Sequence, residues 1–205
     1  LRGELPVVAF NVDALELRPG GSSFQWRGEK VTLSVPGAHN AANAIAALES
    51  SLLAGVEPSE AARAIKSFSG AGRRFEELGR SESGALIIDD YAHHPTEVAA
   101  TIAAARTLGS KRVVAVFQPH LFSRTERLAA EFGRALAAAD VVCVLDVYKA
   151  REKQEDFPGV DGRLIAAAAA DAAGGREVLW LPNFSEALAQ LNLLLRTGDS
   201  CLILG

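Results

Sequence analysis

From Ser83 to its last residue the chain alternates short apolar runs with longer amphipathic stretches. A mostly parallel sheet with helical crossovers satisfies that pattern, and few other architectures do. The apolar runs at 85–88, 112–117, 141–145, 177–181 and 201–204 are read as strands, with four helices between them. Leu128, Phe132 and Leu136 recur at helical spacing after Ser123, and Ser123 and Glu126 have the spacing of a capping box. Asn183 and Glu186 repeat that spacing. Pro95 suits the first position of a helix running to about Thr107 and closed by Gly109. Asp161 is placed to cap an alanine-rich helix that ends at Gly174 and Gly175. The fold class expected for this part is α/β.

The first 75 residues have a different rhythm. Residues 5–35 alternate apolar and polar side chains, as in Phe24-Gln25-Trp26 and Val31-Thr32-Leu33, and Gly20, Gly21 and Gly28 supply turns, so short antiparallel strands are expected. Two helices follow. One carries Ile45, Leu48 and Leu52 on a face and ends at Gly55; the other starts near Pro58 and carries Ala61, Ile65 and Phe68. A break is expected at Ser69-Gly70-Ala71-Gly72, and Gly79 to Gly84 is a second candidate hinge. The resulting division is 1–75 and 76–205.

Several function classes are disfavoured by composition. The formal charge is −4 and the 21 basic residues are scattered, which argues against a nucleic-acid partner. Apolar runs are far shorter than the roughly 20 residues a membrane helix needs. The opening Leu1 to Phe10 lacks the parts of a secretory signal. Cys143 and Cys201 each lie within an apolar run with no second ligand at metal spacing, so both are expected to be reduced packing residues in a cytoplasmic protein. There is no methionine, position 1 included, and the last residues form an apolar strand; a piece of a longer protein is expected.

Four segments can carry chemistry. Ligands of open parallel sheets bind at the carboxyl ends of strands, where Asp89-Asp90-Tyr91-Ala92-His93-His94-Pro95-Thr96-Glu97 and Gln118-Pro119-His120-Leu121-Phe122-Ser123-Arg124 fall. In the first, two acids, a tyrosine and two histidines precede a helix N-terminus, which favours an anion or an orienting carboxylate. Equally, the two Asp side chains can satisfy loop amides while His94 caps the helix. Asp90, His93 and His94 also admit a metal-dependent phosphoesterase. In the second segment Arg124 offers a planar fork suited to a carboxylate, or is simply a solvated side chain on a capped helix. Asn40 and Asn43 lie three apart near a helix start and share a face; amides there can meet a purine edge, and Asn40 can equally be an N-cap. Arg73 and Arg74 beside the break can reach polyphosphate or belong to an ordinary linker.

Taken in order, PGAHNAANA, GRRFE, DDYAHHPTEV and FQPHLFSRT resemble the Mur ligase family, over most of the chain from about Val35 to Glu152. DDYAHHPTE followed by FQPH and SRT is most similar to the members that add L-alanine, and members that recycle murein peptide share the HHP element. The resemblance implies a Rossmann-like, mostly parallel carboxyl-terminal domain that binds the amino acid, preceded by the α+β tail of a central ATPase domain. It implies an ATP-dependent acid–amino-acid ligase of peptidoglycan synthesis, acting on UDP-N-acetylmuramate and L-alanine through an acyl phosphate, with Mg2+ accompanying ATP. By the same resemblance Asn40 and Asn43 face adenine, Arg74 lies near the phosphates, and Asp90 and Tyr91 help close the domain on the nucleotide, Arg74 and Asp90 being the catalytic pair. His94, His120 and Arg124 line the amino-acid side. No residue is expected to hold a metal. Leu121 replaces a basic residue common after the FQPH histidine, and Tyr148-Lys149-Ala150-Arg151-Glu152 keeps the Tyr, Ala and Glu of a family pattern but not its glycine. The loop G-x-x-x-x-G-K-[ST] that cradles phosphates is not found in the chain; Mg2+ ligands are therefore expected elsewhere, and the chain alone is expected to be inactive.

Overall fold

A computed structural model describes residues 10–205. The chain divides into two compact units between Ser69 and Gly70, so Arg73, Arg74 and Phe75 lie in the second. The first residues of the alternating 5–35 stretch, and most of Leu1 to Phe10, lie outside the described residues.

The described residues of the first unit form three antiparallel strands in sequential order, β1 (Asp13–Arg18), β2 (Gly21–Trp26) and β3 (Glu29–Leu33). Pairing Trp26 with Glu29 leaves a two-residue turn, and Arg27 and Gly28 both take positive φ (48° and 83°), as the twist of such a hairpin demands. Helices α1 (Ala38–Leu53) and α2 (Pro58–Ala64) bring Ile45, Leu48 and Ala61 against Phe24, Trp26, Val31 and Leu33. α2 tightens into a 3-10 turn at Ile65–Ser67, and Phe68, expected on its buried face, is left exposed. α1 starts two residues before Asn40, with Gly37 (φ 96°) as its N-cap; Asn40 therefore sits inside the first turn and does not cap it.

The second unit contains β4 (Glu76–Arg80), β5 (Leu86–Asp90), α3 (Pro95–Arg106), β6 (Arg112–Phe117), α4 (Phe122–Leu136), β7 (Val141–Val144), α5 (Gly162–Ala172), β8 (Glu177–Trp180), α6 (Phe184–Leu194) and β9 (Asp199–Leu204). Its sheet runs β4-β5-β9-β6-β7-β8, and every neighbouring pair is parallel except β4 with β5. The α/β expectation is met. Both faces of the central strands are buried, which is why their sequences read as unbroken apolar runs. Val113, Ala115 and Phe117 share a core with Ile102, Phe132, Leu136 and Ile165 of α3, α4 and α5. Val114, Val116, Cys143 and Cys201 share the other with Ala187 and Leu194 of α6. α4 and α5 approach closely at Gly133, where an added Cβ would lie 2.5 Å from the Ala168 carbonyl carbon.

The helix starts at Pro95, Asp161 and Asn183 are as expected: Asp161 accepts from Arg163 N and Asn183 from Glu186 N. Two expectations fail. Ser123 and Glu126 do not form a capping box; α4 begins earlier, and its N-cap is Leu121 (φ 72°), whose own side chain offers no acceptor. Gly79 to Gly84 is no hinge. Gly79 belongs to β4, which pairs with β5 through an irregularity between Glu77 and Gly79. All five β4 residues are exposed, so a polar edge strand leaves no apolar pattern to read.

Candidate functional site

A parallel sheet carries the carboxyl ends of its strands to one rim, here Asp90 of β5, Leu204 of β9, Phe117 of β6 and Val144 of β7. The two sequence segments singled out at this rim are brought together by it.

At the end of β5 the chain is pinned to the segment that precedes β4. Asp90 is 5% exposed, and its carboxylate accepts from Phe75 N at 2.9 Å. Tyr91 N donates to Arg73 O at 2.8 Å, and Gly205 N to Asp90 O at 3.2 Å. Burial pushes the Asp90 carboxyl above the usual aspartate value, opposed by the Phe75 amide, the Thr101 hydroxyl, the Ala92 amide and the Arg74 charge. Arg73 pairs with Asp89 (3.2 Å) and donates to Gly205 O (2.9 Å). The guanidinium carbons of Arg73 and Arg74 lie 4.9 and 5.6 Å from the centre of the Tyr91 ring. Both arginines are exposed, so two cations and an aromatic plate face solvent together.

The α3 start adds the histidines. His94 is the N-cap, its Nδ1 accepting from Thr96 N at 3.3 Å, which puts the proton of the neutral ring on Nε2. Glu97 completes the capping box by accepting from His93 N (2.9 Å) and His94 N (3.1 Å), and its other oxygen lies 3.9 Å from Arg74. His93 Nδ1 donates to Tyr91 O at 2.8 Å. One rotation further along the rim, Arg124 Nη1 donates to His93 O at 3.3 Å and so ties α4 to the loop after β5.

His120 follows β6 and bridges in parallel to Tyr148, with ring centres 5.5 Å apart. Its Nδ1 is buried without a hydrogen-bond partner. Burial, together with the charges of Arg124, His93 and Arg151, depresses its pKa against the opposing pull of Glu152. The ring is therefore neutral at physiological pH. The rim as a whole joins four arginines, 73, 74, 124 and 151, to the neutral His120 imidazole, an arrangement suited to anionic groups of small molecules.

Asn40 and Asn43 belong to the first unit. Asn40 Nδ2 donates to Pro36 O at 2.7 Å, and Asn43 is exposed on the next turn of the same helix. The phosphoesterase reading loses its ligand set: the Asp90 carboxylate turns inward to Phe75, His93 and His94 commit Nδ1 to the backbone, and among the described residues no three His, Cys, Asp or Glu converge on a metal centre. Two residues of the rim were not given a role by the sequence reading: Glu97 and Glu152. Glu97 stands three residues after the N-cap, a spacing that marks it; Glu152 keeps its place in the Tyr148–Glu152 pattern, but its contact with Ser123, 29 residues away, leaves no local signal.

Comparison with known proteins agrees. The family described as "Mur ligase, glutamate ligase domain" matches residues 73–205. The chain is 52% identical over 160 residues to the UDP-N-acetylmuramate–L-alanine ligase of Chlorobium luteolum, covering 78% of this chain and 34% of that protein. It is 44% identical over 204 residues to the enzyme of the same name from Chlorobaculum parvum, covering 97% of this chain and 42% of that one. The chain thus spans about a third to two fifths of the length of these relatives. The crystal structure of UDP-N-acetylmuramate-alanine ligase from Thermotoga maritima has the same fold, with a TM-score of 0.72 at 24% identity over 95% of this chain and 41% of that one. The motifs, the parallel sheet that gathers those of the second unit at one rim and the family match agree: this chain belongs to the Mur ligase family.

Proposed function

We propose that this chain serves an ATP-dependent ligase that joins L-alanine to UDP-N-acetylmuramate in peptidoglycan synthesis, in the cytoplasm and without nucleic-acid or membrane partners. The observation that carries the reading is the rim itself, where the Arg73–Arg74–Tyr91 group and the His120–Arg124 group sit side by side and are linked through His93. The first group suits polyphosphate and the second the carboxylate of an amino acid. Relatives bearing the L-alanine ligase name at 44–52% identity support the same choice.

In this reaction the muramoyl carboxylate attacks the γ-phosphorus of ATP, ADP leaves, and an acyl phosphate forms. The alanine amine then attacks the acyl carbon, the bond to the phosphate oxygen breaks, and the amine proton is lost as the amide forms. Positioning and charge neutralisation supply most of the rate. Arg74 neutralises phosphate charge, Arg124 takes the alanine carboxylate, and neutral His120 adds no positive charge beside the incoming amine. His94 offers Nε2 on the same side. Asp90 acts from below, holding Phe75 and with it the arginine-bearing segment. Asn40 and Asn43 are assigned to the adenine. Mg2+ accompanies ATP as substrate, and no cluster of ligands among the described residues fits it.

The test is phosphate release by the full-length parent enzyme. It should require ATP, UDP-N-acetylmuramate and L-alanine together, whereas the 205-residue chain alone should neither hydrolyse ATP nor form an amide. If free murein tripeptide replaces L-alanine as the efficient acceptor, the parent is the recycling ligase and the alanine assignment is wrong.

A further inference from the structure

α4 presents an unusual demand. Its N-cap is Leu121, which has no side-chain acceptor and a φ of 72°, yet the first amides of a helix need one. The acceptor arrives from 29 residues downstream. Glu152 Oε2 accepts from Ser123 N at 3.0 Å, its other oxygen accepts the Ser123 hydroxyl hydrogen, and the Phe122 amide also donates to this carboxylate.

That one carboxylate joins two walls of the rim. On one side it holds the first turn of α4, where Arg124 directly follows Ser123. On the other it ends the segment that carries Tyr148, whose backbone donates to Pro119 O at 2.8 Å and accepts from Leu121 N at 3.0 Å while its ring faces His120. We propose that Glu152 is a positioning residue for the amino-acid substrate, setting the distance between Arg124 and the His120–Tyr148 pair without touching substrate itself. This rests on the ligase reading above.

Burial would raise the Glu152 carboxyl, but the Ser123 hydroxyl, the Ser123 and Phe122 amides and the Arg151 charge hold it below the usual glutamate value. Its charge is therefore present throughout the neutral range. In the full-length parent, Glu152→Ala should raise the Michaelis constant for L-alanine roughly tenfold or more, the scale of a lost charge-assisted hydrogen bond. The constants for ATP and the UDP-sugar should stay within about twofold, since uniform binding of those substrates is untouched. Glu152→Gln keeps an acceptor for Ser123 N–H and should recover part of the loss.

A second readout follows the contact directly. In NMR spectra of the 205-residue chain, the Phe122 and Ser123 amides should titrate with an acidic midpoint, and that titration should vanish in Glu152→Gln. If the titration vanishes while the alanine constant of both variants stays at the wild-type value, Glu152 is only a helix cap. If all three constants and the thermal stability move together in Glu152→Gln, its role is general structure and the proposal also falls. Failure of the ligase reading shows instead in the wild type, which would then not use L-alanine at all, and takes this proposal with it.

Discussion

The buried Asp90 carboxylate accepts the Phe75 N–H at 2.9 Å, and this bond fastens the arginine pair to the end of a central strand. Phe75 has a φ of 52° and Arg73 one of 56°, conformations costly for residues with a Cβ and held by such contacts. Because burial raises the folded pKa of Asp90, its contribution to stability is full below the unfolded value of about 4 and is lost as pH rises through the folded pKa. Asp90→Asn keeps an acceptor without the charge, so it should be at least as stable as wild type near pH 7 and lose that advantage on acidification. Asp90→Ala leaves the Phe75 amide unsatisfied and should cost about 1 to 3 kcal/mol. Thermal unfolding of the three proteins across the acidic range decides; an Asn variant as unstable as the Ala variant would show that the charge itself is needed.

Arg74 is exposed, with its nearest carboxylate oxygen 3.9 Å away, so its removal costs the fold little. In the full-length parent Arg74→Ala should keep the unfolding temperature and lower turnover about 10²- to 10³-fold, or about 3 to 4 kcal/mol of barrier, if its charge is needed as phosphate leaves. Near-normal turnover by a folded variant would make Arg74 a linker residue.

Arg124 separates the two halves of the rim. Lysine keeps its charge but not the planar fork, so Arg124→Lys should raise the Michaelis constant for L-alanine about tenfold while those for ATP and the UDP-sugar stay nearly constant. Steady-state kinetics with each substrate varied in turn measures this. Should the ATP constant move instead, Arg124 belongs with Arg74 on the nucleotide side.

At the opposite end of the sheet Arg112 and Asp199 form a pair at 2.6 Å, with the Asp199 side chain 2% exposed. Burial would raise the Asp199 carboxyl, but Arg112, the Arg196 amide and the Arg196 charge hold it below the usual value. Its stabilisation is therefore complete above the unfolded aspartate value and disappears as pH falls through the folded pKa. Asp199→Asn should lower stability at neutral pH and flatten the acid limb of the stability curve, whereas Arg112→Met, which strands a buried charge, should cost about 3 kcal/mol or more. Chemical denaturation from about pH 7 to about pH 3 compares them; an unchanged acid limb in Asp199→Asn would remove this pair from the account.

The sequence by itself determined the parallel core, because strands buried on both faces must be apolar throughout and the helices between them begin at local signals: Pro95, Asp161 and Asn183 act within three residues of themselves. It also determined which segments reach that rim, since any parallel sheet gathers the loops after its strands at one edge. Only the tertiary structure decided the rest. β4 is polar and exposed, so its place was written in its pairing with β5 and not in its own residues. The cap of α4 comes from Glu152 and not from Ser123, the latch on Asp89 comes from Arg73, and the Asp90 carboxylate turns inward to Phe75. Each of these is a hydrogen bond spanning 15 to 29 residues, formed because folding buries or aligns a donor and brings a distant acceptor to it, and no pattern within one segment records such a partner.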